Sequence, residues 1–97
     1  MVLTNERYNI QGVDLVELAE QYGTPLYVYD ADKINSQIKT LQAAFSSVNL
    51  KLKYATKALS NINILKLIKN AGCGLDAVSI QEARLGLMAG FNAKDIM

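Results

Sequence analysis

Hydrophobic positions in the first part of the chain change period repeatedly. Leu15, Leu18, Ala19 and Tyr22 recur at helical spacing, and Asp14 with Glu17 three positions later has the form of a capping pair. A helix is expected there, stopped by Gly23. Residues 25 to 29, Pro-Leu-Tyr-Val-Tyr, read as a short strand, because proline is admitted at a strand's first position. Asp30 is placed to cap a helix over residues 31 to 45, with Ile34, Ile38, Leu41 and Phe45 along one side.

The second half repeats the alternation. Leu50 to Thr56 reads as a strand, and Ser60 is the expected cap of a helix whose core face is Ile64, Leu65, Leu67 and Ile68. Gly72 and Gly74 mark the return to a third strand, Leu75 to Val78. Ser79 then caps a helix that runs through Met88 and stops at Gly90. The order is βαβαβα after one leading helix. A helix in each crossover is the connection that parallel strands require, so the fold class is α/β with a parallel sheet. Periodicity leaves open whether the strands begin a barrel or an open doubly wound sheet.

Length bears on that choice. A complete eight-stranded barrel needs about 250 residues, so a chain of 97 is expected to be an incomplete piece of one. Residues 92 to 97 look like a turn entering a further strand. Tyr8 and Ile10, separated by one polar residue, suggest a short strand near the start that serves another part of the protein.

Composition narrows the function classes. Ten Lys plus Arg against nine Asp plus Glu give a net charge of +1, which provides no strong field for nucleic acid or an anionic membrane. Cys73 is the only cysteine and histidine is absent, so neither an intrachain disulfide nor the usual thiolate or imidazole metal site is available. No secretory leader or membrane-length apolar run is visible, and a cytoplasmic location is expected.

Three residues carry candidate chemistry. Lys57 follows the strand ending Tyr54-Ala55-Thr56, at the edge where ligands bind in both α/β architectures. Strand alternation puts Ala55 and Lys57 on one face, leaving room for a flat ring beside an amine that can form a Schiff base with an aldehyde. The same alternation brings Lys51 and Lys53 to that face, which suits a barrel only if they lie at its wet lower mouth. The commoner use of a strand-end lysine is plain solvation. Asp76 sits within the next strand, where a charge is costly without a partner; the rival reading puts it near a wet strand end or in a pair with Lys53. Glu82 has the spacing of a capping box with Ser79, and that structural use competes with an active-site one.

Other features are set aside. Gly72-Cys73-Gly74 precedes a strand and lacks the third glycine of a dinucleotide fingerprint. Cys73 has no histidine to activate it and reads as a structural thiol. Tyr27, Tyr29 and Tyr54 read as packing aromatics.

Four segments together resemble one family. They are Gly23-Thr24-Pro25-Leu26-Tyr27-Val28-Tyr29-Asp30, Tyr54-Ala55-Thr56-Lys57-Ala58, Gly74-Leu75-Asp76-Ala77-Val78-Ser79, and Glu82. Their order and spacing resemble the diaminopimelate decarboxylase branch of the alanine-racemase-like, pyridoxal-phosphate-dependent barrel enzymes. The resemblance implies that Lys57 holds pyridoxal 5′-phosphate covalently, that Ala55 lies near its ring, and that Asp76 and Glu82 line the active site and orient lysine and cofactor. The carboxylate for the ring nitrogen comes from a later strand in that family. The pattern departs from the family at Ile80-Gln81, where paired glycines are common, and at Leu59, where asparagine is common.

On this resemblance, residues 1–97 are the amino-terminal part of the pyridoxal-phosphate-binding (β/α)8 barrel, with residues 1–12 contributing to a second, mainly β domain outside the chain. The implied assembly is a homodimer, and the implied reaction is decarboxylation of meso-diaminopimelate to lysine, an activity not expected of the 97-residue chain alone. Another barrel-type amino-acid or polyamine decarboxylase, or a noncatalytic carrier of the cofactor, stays open as an alternative.

Overall fold

Two-residue turns organise the start of the chain. In the computed structural model, which describes residues 1–97, β1 (Val2–Thr4), β2 (Arg7–Ile10) and β3 (Val13–Asp14) form an antiparallel meander in the order β1-β2-β3. Asn5 and Glu6 join the first pair, Gln11 and Gly12 the second, and all four have positive φ. That geometry gives a two-residue turn whose twist matches the flanking strands, and Gly12 adopts it without a side-chain clash. The sequence reading saw only one of these strands, around Tyr8 and Ile10.

The meander runs directly into α1 (Leu15–Tyr22). Asp14 Oδ1 accepts from the amides of Val16 and Glu17 at 2.7 and 3.2 Å, while its other oxygen meets Arg7 Nη1 at 3.1 Å. Partial burial opposes the charge, yet the Arg7 guanidinium and the two amides hold the Asp14 carboxyl below its ordinary pKa. The helix ends at Gly23, whose amide donates to the Ala19 carbonyl at 2.8 Å.

Residues 25 to 29 are not a strand. They make no ladder with any other segment, since the sheets are the β1-β2-β3 meander and a pair formed by Lys53–Ala55 and Gly74–Asp76. The local preference of Leu26, Tyr27, Val28 and Tyr29 is β, but a strand exists only when a neighbour takes up its backbone groups. Asp30 does cap the next helix: its Oδ1 accepts from the Lys33 amide at 3.0 Å ahead of α2 (Ala31–Ala44).

The chain divides into two compact units, Met1–Lys33 and Ile34–Met97. In the second, β4 (Lys53–Ala55), α3 (Ile62–Asn70), β5 (Gly74–Asp76) and α4 (Ile80–Met88) follow in order. β4 and β5 are parallel, with Lys53, Tyr54 and Ala55 opposite Gly74, Leu75 and Asp76. Both are shorter than the sequence suggested. The cap of α3 is Asn61 and not Ser60: Asn61 Oδ1 accepts from Asn63 at 2.9 Å and Ile64 at 3.4 Å. A third parallel neighbour begins after a 3-10 turn at Ala93–Asp95, where Ile96 bridges Leu75 and Met97 exchanges backbone bonds with Leu75 and Ala77.

One face of this sheet meets the helices. Leu65, Ile68, Cys73, Leu75, Ala89 and Phe91 are buried together, with Ile34, Ile38, Tyr54, Leu85 and Ile96 packed around them. Leu65 and Leu75 are fully buried, and each contributes about 2 kcal/mol by leaving water. Leu41 and Phe45, expected to continue the stripe of α2, remain nearly half exposed. The opposite face carries Lys53, Ala55, Gly74 and Asp76, none of them buried.

Candidate active site

Parallel register fixes which side chains share a face. Ala55 and Asp76 are partners and point the same way, away from the core that receives Tyr54 and Leu75. β4 ends at Ala55 and β5 at Asp76, so both strands stop at the same edge. This carboxyl-terminal edge is where α/β sheets bind ligands.

Lys57 leaves from that edge, but not by strand alternation. Thr56–Ala58 is a 3-10 turn, closed by the Leu59 amide on the Thr56 carbonyl at 3.2 Å, so the expected continuation of the strand to residue 56 fails. Alternation requires extended backbone, and a turn re-aims each successive side chain. Thr56 is fully buried while Lys57 is exposed. The residue is thus exposed at the turn's surface, with no carboxylate in salt-bridge contact.

Asp76 is half-buried and forms no ion pair with Lys53. Lys53 Nζ instead donates to the backbone carbonyl of Asp95 at 3.0 Å. Gly74 makes that contact possible, because a Cβ there would stand 2.5 Å from the Asp95 oxygen and 3.2 Å from Lys53 Nζ. Lys51, Lys53 and Lys69 line a cavity of about 330 Å³ with Gly74 and Asp95, at the amino-terminal end of the strands. Lys51 and Lys53 therefore lie at the end of β4 away from Lys57.

Glu82 has a structural task. Ser79 Oγ accepts from the Glu82 amide at 3.1 Å, and Glu82 Oε2 accepts from the Val78 amide at 2.8 Å, one residue earlier than a standard capping box. This pairing fixes the turn that follows Asp76. Cys73 is buried, and burial pushes its thiol pKa above the ordinary value, in keeping with a structural thiol. The acid and thiol side chains form no metal-binding cluster, and no helix is long and apolar enough to cross a membrane.

Sequence reasoning missed two contributors at this edge. Tyr54 Oη donates to the Leu59 carbonyl at 3.0 Å, and Thr56 Oγ1 is buried without a partner. Tyr54 was legible as a packing aromatic, but nothing in the sequence announced where its hydroxyl would land.

The family pattern described as pyridoxal-dependent decarboxylase, pyridoxal binding domain, matches residues 31–97. The chain belongs to this family. The diaminopimelate decarboxylase of Bacillus subtilis is 45% identical over 89 residues, 90% of this chain and 20% of that protein. That of Methanothermobacter thermautotrophicus is 42% identical over 90 residues, 91% of this chain and 21% of that protein. The chain thus spans about a fifth of the length of these relatives. Among solved structures, a protein from Aquifex aeolicus superposes with a TM-score of 0.90 at 36% identity, over 96% of this chain and 23% of that one. A diaminopimelate decarboxylase from M. jannaschii gives 0.81 at 33%, over 98% of this chain and 23% of that one, and has also been solved with L-lysine.

The cofactor of this family segment is pyridoxal 5′-phosphate. The residues present fit it chemically. An accessible primary amine suits its aldehyde, a small side chain at Ala55 suits a flat ring, and Asp76 shares Ala55's face.

Proposed function

We propose that the protein carrying this chain decarboxylates meso-diaminopimelate at its D-configured carbon to give lysine, with Lys57 as the residue that holds pyridoxal 5′-phosphate. The carrying observation is the exposed amine of Lys57, on a turn at the edge where β4 and β5 both end, in a chain 45% identical to a diaminopimelate decarboxylase. The lysine complex of the M. jannaschii relative supports the choice of product.

When bound, the cofactor supplies an electron sink for the pair released as the carboxylate departs. This chain's own residues bind and position. Lys57 would hold the cofactor through its primary amine. Ala55 leaves ring space on the open face of the sheet, where any larger side chain would project. Asp76, on the same face, orients the amine and cofactor by charge-assisted hydrogen bonding. Glu82 contributes through the Val78 amide it holds, keeping the segment after Asp76 in place. The wider reading is a homodimeric cytoplasmic enzyme with a (β/α)8 barrel begun by β4 and β5, and with residues 1–12 joining a second, mainly β domain.

Borohydride reduction of the cofactor-loaded full protein, followed by digestion and mass spectrometry, is expected to place the modified lysine at Lys57. Lys57→Ala should lower turnover of meso-diaminopimelate by about a thousandfold or more. Ornithine, arginine and carboxynorspermidine should be poor substrates of the unaltered enzyme. Modification of another lysine with full turnover in Lys57→Ala would remove Lys57 from the site. A preference for one of the other amines would leave the site standing and change the substrate.

A further inference from the structure

Tyr54 precedes Lys57 by three residues and lies on the core-facing side of β4. Its register partner Leu75 is fully buried, its ring packs at the helix-side core, and Ala55 and Asp76 lie on the opposite face. Its hydroxyl nevertheless reaches the backbone two residues beyond the lysine, donating to the Leu59 carbonyl at 3.0 Å. The Leu59 amide in turn donates to the Thr56 carbonyl at 3.2 Å. Residues 56 to 59 are thus closed twice, once by the turn's own backbone and once by a side chain rooted in β4.

The second closure matters because the tip of this turn has little else to hold it. Lys57 and Ala58 are exposed, and a single 3-10 turn has poor hydrogen-bond geometry. A ring fixed by core packing transfers the position of the sheet to Leu59 through one hydrogen bond. The origin of the Lys57 side chain is then set by β4 at one end of the turn and by Tyr54 at the other. Small displacements of a reacting group are expensive, so such a restraint has kinetic weight.

We infer that Tyr54 is a positioning residue for Lys57: its hydroxyl clamps the turn that presents the amine, without touching cofactor or substrate. This rests on Lys57 being the cofactor lysine. Tyr54→Phe keeps the ring and deletes only the donor.

In the full-length, cofactor-loaded protein, Tyr54→Phe is expected to lower kcat by about tenfold while KM changes less than about twofold. Amide hydrogen exchange at Leu59 should quicken in the variant, with the thermal midpoint little changed. In cofactor-free protein, covalent capture of added pyridoxal phosphate at Lys57, trapped by borohydride and counted by mass spectrometry, should slow. Unchanged kcat, exchange and capture, with the label still on Lys57, would overturn the clamp and leave the lysine assignment intact. A label on a different lysine in the unaltered protein would overturn both. Should the variant not fold, the Tyr54 hydroxyl proton in the unaltered protein decides: slow exchange with water supports the clamp, and exchange as fast as that of a free tyrosine hydroxyl overturns it.

Discussion

Thr56 is the residue whose environment fits its chemistry least. It is fully buried, and its Oγ1 has no hydrogen-bond partner. A buried hydroxyl without a partner costs about 1–3 kcal/mol, whereas valine has nearly the same shape and no polar atom to strand. Thr56→Val is therefore expected to stabilise the folded protein by about 1 kcal/mol, seen as a higher thermal midpoint, with cofactor still captured at Lys57. A lower midpoint would mean that the hydroxyl has a partner after all. Lys57 and Asp76 stand out from the residue types alone. The burial of Thr56 beside them does not, because it depends on where the turn begins.

Among the elements, β5 is the one most tightly constrained by its neighbours. It pairs with β4 on one side and meets Ile96 and Met97 on the other, and Leu75 fills the core beneath it. Gly74 is the point of closest approach, where the Asp95 carbonyl and Lys53 Nζ occupy the space of a side chain. Since the Asp95 oxygen belongs to backbone, it cannot yield by a rotamer change. Gly74→Ala should cost about 1–3 kcal/mol, break the Lys53 to Asp95 hydrogen bond and loosen the 3-10 turn at Ala93–Asp95. Denaturant unfolding with hydrogen exchange at Asp95 and Ile96 would measure both effects, and unchanged stability would show that the turn adjusts freely.

For the molecule as a whole, the distribution of exposed apolar groups is the telling feature. Val78 is 66% exposed, Ile80 61% and Met88 71%, all in the second unit, and β4 pairs with a neighbour only through β5. A half-covered parallel sheet with a free edge invites association. The 97-residue polypeptide by itself is expected to self-associate, to bind a hydrophobic dye, and to show no decarboxylation. Sedimentation velocity and a carbon dioxide release assay check this; a monodisperse monomer without dye binding would contradict it.

The sequence by itself determined the elements whose signals are local. Asp14, Asp30 and Ser79 cap the helices they precede because a short side-chain oxygen reaches amides two or three residues ahead, whatever surrounds it. The two helix-linked strands followed from apolar runs separated by a helical period, and their parallel pairing followed from the crossover. The positions of Lys57, Asp76 and Glu82 could be picked out as residue types at fixed intervals, while the roles proposed for them came only with the family resemblance. Tertiary structure decided the rest. It denied Pro25–Tyr29 a ladder, because pairing needs a second segment that no local pattern supplies. It ended β4 at Ala55 and turned Lys57 out of the strand's alternation. It sent the Tyr54 hydroxyl to Leu59 and the Lys53 amine to the Asp95 carbonyl, contacts set by register and close approach, which are properties of two segments together and are written in neither alone.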